Sequence, residues 1–257
     1  MELGLRDRVV FITGGSSGIG QATAVAFGRE HANIAITYRT NADGAANTVA
    51  AVTDAGGGAL AVPLDLADPD SIRAAVAETT ARWGGIDVLV NNATDTDRHA
   101  DAFNPAGPGF ADIPPERWRP QLATSLEGVF HTLQAALPAM RGRDHGRVAF
   151  VSSAAAERGG PREEAYAATK SALAGLTASL ARELGPEGIL VNIVMPAMTT
   201  TDRVLRTVPE PVRQMIAGHL PTGTLSSPDD VANAILFLCS TANGNITGET
   251  LHVTGGI

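Results

Sequence analysis

A single cysteine in 257 residues rules out an internal disulfide framework. Cys239 ends the run Ala234-Ile235-Leu236-Phe237-Leu238-Cys239, which reads as the buried side of a helix. No apolar run approaches the ~18 residues of a membrane-spanning helix. The opening Met1-Glu2-Leu3-Gly4-Leu5-Arg6 is not followed by the apolar stretch of a secretion signal. Positive charge is in deficit. With 19 Lys and Arg against 27 Asp and Glu, the net charge of −8 argues against non-specific binding to nucleic acid or to an anionic membrane. The six histidines show no paired ligand spacing, so no metal is expected. There is also no repeat, linker or composition break, and residues 1–257 read as one domain able to bury a large core. These absences predict a soluble, cytoplasmic protein of ordinary globular composition, 44% hydrophobic and 18% charged.

What is present is an alternation of short apolar runs and amphipathic stretches. Strands are expected at 8–13, 33–38, 60–64, 86–91, 147–153, 188–195 and 250–254. Helices are expected at 21–29, 42–55, 69–83, 116–140, 162–184 and 228–240, with a short one within 201–219. Asp68, and Ser226 or Ser227, stand where N-caps belong, and Gly56-Gly57-Gly58 ends the second helix. Unbroken alternation of this kind means an α/β fold, a doubly wound Rossmann-type domain with seven parallel strands and helices on both faces. Two long connections, 94–115 and 196–224, leave strands at their C-terminal ends, the edge where such sheets bind ligands.

Between the first strand and first helix lies Gly14-Gly15-Ser16-Ser17-Gly18-Ile19-Gly20. Strand, glycine turn and helix form a cradle for a pyrophosphate: helix-start N–H groups face the phosphates and glycines let the backbone approach. The motif alone is also an ordinary turn; its place after the first strand favours the cradle. At the end of the second strand, Tyr38-Arg39-Thr40 offers a guanidinium where an acidic residue would repel a 2′-phosphate. Arg39 there favours NADP(H).

Tyr166 and Lys170, four residues apart, share one face of a helix. A nearby cation favours a phenolate, and such a pair can pass a proton to or from an alcohol oxygen near neutral pH. By themselves they are an unremarkable helix surface. Their significance comes from the glycine loop and from Ser153, thirteen residues before the tyrosine.

Thr13-Gly14-Gly15-Ser16-Ser17-Gly18-Ile19-Gly20, Asn91-Asn92-Ala93, Ser153, Tyr166-x-x-x-Lys170 and Asn192-x-x-x-Pro196 occur in this order across the chain. Together they resemble the short-chain dehydrogenase/reductase family, nearest in character to its 3-oxoacyl-carrier-protein reductases and its sugar and polyol dehydrogenases. The resemblance implies roles by position. Tyr166 is the proton donor, Lys170 lowers its pKa and holds the nicotinamide ribose, and Ser153 bonds the substrate carbonyl oxygen. Asp65 and Leu66 adjoin the adenine, Asn91 and Ala93 line the cofactor groove, Pro196 faces the nicotinamide, and Thr201 meets its carboxamide. Gly14, Ser16, Ser17, Gly18, Ile19 and Gly20 hold the pyrophosphate. Ser152 is read as a sheet residue.

Three departures from the family pattern stand out. Ser125 occupies the place of an asparagine in N-x-x-G-x-F, where that residue links Lys170 to solvent through water; Ser125 either takes over this task or bonds a carbonyl of its own helix. N-N-A-G becomes Asn91-Asn92-Ala93-Thr94, and P-G becomes Pro196-Ala197. Asp144 and Glu187 stand where carrier-protein reductases carry basic residues, although Arg141, Arg143 and Arg182 lie nearby. The expectation is an NADP(H)-dependent reductase of a small ketone or aldehyde, a homotetramer or dimer through its long helices, with a carrier-protein partner not favoured. Alcohol oxidation or a tailoring reaction on the same scaffold, and a non-catalytic dinucleotide-binding protein, remain the alternatives.

Overall fold

The computed structural model describes residues 2–94 and 108–257. Seven strands, β1 (Val9–Ile12), β2 (Asn33–Tyr38), β3 (Gly58–Pro63), β4 (Val88–Asn91), β5 (Gly146–Val151), β6 (Ile189–Pro196) and β7 (Thr250–Val253), form one parallel sheet in the order β3-β2-β1-β4-β5-β6-β7. The helices are α1 (Gly18–Arg29), α2 (Ala42–Asp54), α3 (Pro69–Trp83), α4 (Pro115–Leu122), α5 (Gly128–Met140), α6 (Ala155–Arg158), α7 (Glu164–Leu184), α8 (Asp202–Thr207), α9 (Glu210–Gly218) and α10 (Pro228–Cys239). Strand order reverses between β1 and β4, which opens a crevice at their C-terminal ends.

The strands are apolar on both faces. Val10, Ile12, Ile34, Ile36, Val88 and Val90 pack with α1, α2 and α10. Phe11, Ala35, Leu89, Val148 and Phe150, pointing the other way, pack with α3, α5 and α7. This two-sided burial is why the strands read as continuous runs rather than alternating ones. Helix starts follow the expected chemistry: Asp68 accepts from Asp70 N at 2.9 Å, and Ser227 and Asp230 form a reciprocal capping box. Among the described residues no helix is long and apolar enough to cross a membrane.

Several boundaries differ from expectation. Helix α1 starts at Gly18, so the last glycines of the loop lie inside its first turn. β5 stops at Val151, leaving Ser152 and Ser153 just past the strand, free of the pleat. The helix expected over 116–140 is two helices joined by a π-helical turn, Ala123–Glu127. Pro120, which lacks an N–H and crowds the preceding turn, lies just before it, and Gly128 just after comes so near Leu66 that a β-carbon would stand 2.8 Å from Leu66 O. The helix expected within 201–219 breaks at Val208, which is extended because Pro209 follows. Of the connection over 94–115, residues 95–107 lie outside the described residues, and Phe110–Asp112 forms a 3-10 turn.

Candidate active site

The crevice is shaped by a clasp between β1 and β4. Thr13 Oγ1 accepts from the backbone N–H groups of Asn92 and Ala93, each at 3.0 Å. Asn92 Nδ2 donates back to Thr13 O at 3.0 Å and Gly14 O at 3.1 Å. The glycine loop is thereby tied to the strand across the reversal. Its shape requires the glycines: Gly14 and Gly18 have φ of +69° and +56°. A β-carbon on Gly20 would stand 2.3 Å from Gly14 O and 2.6 Å from Asn92 Nδ2. From below, Asn41 Nδ2 donates to Ser16 O at 3.1 Å and Thr48 Oγ1 to Gly15 O at 3.0 Å.

The loop fits a dinucleotide. Ser17, extended, places no side-chain cap on α1, and no acidic residue stands in the first turn. The leading N–H groups of a helix have no partner within it and carry its positive dipole end. They open onto a cleft of 1230 Å³, more than the ~300–1,000 Å³ of a single-ligand pocket. Arg39 lines it at the end of β2, beside Ser16, Asn41 and Asn47. Asp65 and Leu66 line it beyond β3; the Asp65 carboxylate also accepts from Ala67 N at 2.9 Å.

At the other end of the same cleft stand Ser153, Tyr166, Lys170 and Pro196. Lys170, one turn beyond Tyr166 on α7, sends its ammonium down to Val151 O at 2.8 Å, with Nζ 5.8 Å from the centre of the Tyr166 ring. Ser152 Oγ donates to Lys170 O at 3.1 Å, a second tie between the end of β5 and α7. Burial pushes the Lys170 pKa down to about 8. Ser153 is hydrogen-bonded to Tyr166, which favours the phenolate, and it accepts from Ala155 N at 3.2 Å. The Tyr166 pKa is nonetheless raised, first by burial and further by Glu163 one turn earlier, with Ser153 and Arg203 acting the other way. The expected lowering by Lys170 does not appear: the groups that act on the phenol are Ser153, Glu163 and Arg203, and desolvation disfavours the phenolate more than Ser153 and Arg203 favour it. Glu163 also lines the cleft, and burial raises its own pKa.

Three expected site residues stand back from the cleft wall. Gly20 serves the packing of α1 on the loop. Asn91 shares the face of Leu89 on β4; it is buried, and its Nδ2 has no hydrogen-bond partner among the described residues. Asn92, the first residue past the strand, lines the cleft instead, alongside Ala93 and Thr94. Strand parity carries this signal, since side chains within β4 point into the helix layers. Ser125 lies behind the wall in the π-helical turn, buried, with Thr94 Oγ1 at 2.9 Å and Gln121 Nε2 donating at 2.8 Å. Thr201 lines the cleft but caps α8, accepting from Val204 N at 3.3 Å, and its methyl stands 3.1 Å from where a Gly18 β-carbon would be. Asn192 ties β6 to the segment before β7, donating to Ile246 O at 2.7 Å and accepting from Glu249 N at 3.1 Å. Arg158 and Arg203, which also line the cleft, carried no signal in the sequence.

A family model described as enoyl-(acyl carrier protein) reductase matches residues 14–257. A 3-oxoacyl-[acyl-carrier-protein] reductase of Staphylococcus aureus is 33% identical over 246 residues, 96% of each chain. An L-rhamnose 1-dehydrogenase (NAD(P)(+)) of Azotobacter vinelandii is 35% identical, covering 98% of this chain and 97% of that one. Among solved structures, a short chain dehydrogenase of Burkholderia cenocepacia in complex with NADP superposes with a TM-score of 0.85 at 32% identity, over 98% of both chains.

The electrostatics of the site can be read directly, because the chain has only two tyrosines. In a Tyr38→Phe background, ultraviolet titration follows Tyr166 alone. Its midpoint is expected above the ~10 of a free phenol, and Glu163→Gln is expected to lower it by removing the neighbouring carboxylate. A free-phenol midpoint that Glu163→Gln leaves in place contradicts this account.

Proposed function

Because the chain belongs to the short-chain dehydrogenase/reductase family of oxidoreductases, we propose that it reduces the carbonyl of a small, freely diffusing ketone or aldehyde with NADPH. The observation that carries this reading is the convergence of Ser153, Tyr166 and Lys170 at the far end of the cleft that begins at the glycine loop. Gly14, Ser16 to Ile19, Arg39, Asp65, Leu66, Asn92, Ala93, Pro196 and Thr201 would hold the cofactor, which would supply the hydride when bound. The chain's own residues handle the oxygen. Ser153 donates a hydrogen bond to the carbonyl oxygen as negative charge grows on it. Tyr166 gives that oxygen its proton and is left as phenolate, so the product is the alcohol. Lys170, fixed over the ring by Val151 O, stabilises the phenolate and so makes the transfer favourable. The A. vinelandii relative is named as a dehydrogenase, which supports oxidation in the reverse sense by the same residues.

Free substrates are favoured over carrier-bound ones on charge. Asp144 and Glu187 occupy the places noted above, and two of the nearby cations, Arg141 and Arg143, are engaged. Arg141 pairs with Glu187 at 2.8 Å, Arg143 with the buried Asp87 at 2.6 Å, and Arg8 with Asp144. The net charge of −8 adds long-range repulsion toward an acidic carrier, as toward nucleic acid and anionic membranes. We propose further that the protein works in the cytoplasm as a homotetramer or dimer, its α4–α5 and α7 helices pairing between copies. The outward Phe130 of α5, 45% exposed, supports that pairing.

Tyr166→Phe is expected to lower kcat by ~10²–10⁴ while NADPH affinity stays near wild type, since a positioned acid is lost but no cofactor contact of comparable worth. Activity within threefold of wild type would remove Tyr166 from the chemistry. Arg39 is expected to set cofactor choice. A charge-assisted contact to the 2′-phosphate is worth roughly 1.5–3 kcal/mol, so NADPH binds about ten- to a hundredfold tighter than NADH, and Arg39→Asp abolishes or reverses that preference. Equal affinities for the two cofactors in the wild type would place Arg39 in solvent.

A further inference from the structure

We propose that Thr94 is a positioning residue of the catalytic cleft that acts through Ser125, the two hydroxyls working as one unit. The inference rests on the reductase reading above. Thr94 follows the clasp residues Asn92 and Ala93 and lines the cleft together with Thr124, Ser153 and Lys170. Its Oγ1 lies 2.9 Å from Ser125 Oγ, and from the far side Gln121 Nε2 donates to the same Ser125 oxygen at 2.8 Å. Gln121 and Ser125 are each only 3% exposed. A polar row therefore runs from the buried amide of α4, through the middle of the π-helical turn, to the cleft wall. α7, which carries Tyr166 and Lys170, packs against both α4 and that turn.

Two points make the row more than filler. First, buried hydroxyls need partners, and an amide nitrogen can only donate. Gln121 thus occupies acceptor capacity of Ser125, and in the bond between Thr94 and Ser125 either hydroxyl can be the donor. Second, the sequence departs from its family pattern at both positions in opposite senses. A side chain is added at 94, where the pattern has glycine, and one is shortened at 125, where it has asparagine. The two departures meet in one hydrogen bond. π-helical turns inserted in α-helices concentrate at functional positions, and this one brings Ser125 within reach of Thr94.

The test compares Thr94→Val, which keeps the shape and removes the hydroxyl, with Thr94→Ser, Ser125→Ala and the Thr94→Val/Ser125→Ala double variant. Readouts are kcat and KM from pH 6 to 9, NADPH affinity by fluorescence, and thermal stability. Thr94→Val is expected to lower kcat about five- to tenfold, the worth of one hydrogen bond, and to displace the kcat–pH profile in the same direction as Ser125→Ala. Thr94→Ser is expected to stay within about twofold of wild type, NADPH affinity to change less than about twofold throughout, and the double variant to be no slower than the worse single one. Wild-type kcat and profile in Thr94→Val, or single losses that multiply in the double, overturn the proposal. The same cycle on thermal stability is independent of turnover: sub-additive losses support the unit and additive ones overturn it. Failure of the reductase reading shows separately, as a wild type that oxidises no NADPH with any carbonyl.

Discussion

One ammonium group, that of Lys170, is buried in the cleft wall, and the reactive half of the cleft is arranged about it. Among the described residues its hydrogen-bond acceptor is Val151 O, the last carbonyl of β5. Ser152, the next residue, grips the backbone of Lys170 itself. These two contacts fix the rotation and height of α7 against the sheet. They also place Tyr166 one helical turn back, over Ser153, the next residue along from Ser152. Burying a cation beside only a neutral carbonyl and a phenol ring among the described residues is unfavourable, and the fall of its pKa to about 8 expresses that cost. A fold chosen for stability alone would put an apolar side chain there. Retaining the lysine makes sense if a positive charge is needed beside a phenol whose own burial holds its proton on.

The other half of the cleft rests on neutral contacts. Thr13 and Asn92 join the two strands at which the sheet reverses, and the clasp fixes the glycine loop without any charge. Positive character comes from the start of α1 and from Arg39 at the rim. Backbone dipoles thus face one end of the cleft, while a desolvated cation stands at the other.

Much of this was legible in the sequence because of where the strands lie. A sheet covered on both faces writes itself as runs such as Arg8 to Thr13 and Gly188 to Met195, and caps such as Asp68 announce helix starts. The triad of Ser153, Tyr166 and Lys170 came from motif spacing, and the structure brings the three side chains to one cleft. What escaped depends on geometry that residue types do not encode. The π-helical turn at Ser125 is a change of hydrogen-bond register, to which helix propensity is blind. Asn91 and Asn92 are the same residue type, and only strand parity separates the buried one from the one at the crevice. The break at Val208 was readable, since a residue before proline resists the helix. The direction of the Tyr166 shift was not, because it is set by how much water the surrounding chain removes.

The central claim is that Lys170 is a cation kept at a cost to stability. Lys170→Met keeps an unbranched side chain one atom shorter and removes the charge. A buried lysine with a depressed pKa is a full penalty below its folded value near 8 and is relieved as pH rises toward the unfolded value near 10.5. Thermal stability of the wild type and of Lys170→Met, measured side by side from pH 6.5 to 10.5, reads this difference with other titrations cancelled. The account predicts that the variant gains most over the wild type at pH 6.5–7.5 and that its advantage shrinks steadily above pH 8. A difference that stays constant across the range, or that moves in the variant's favour as pH rises, would contradict it.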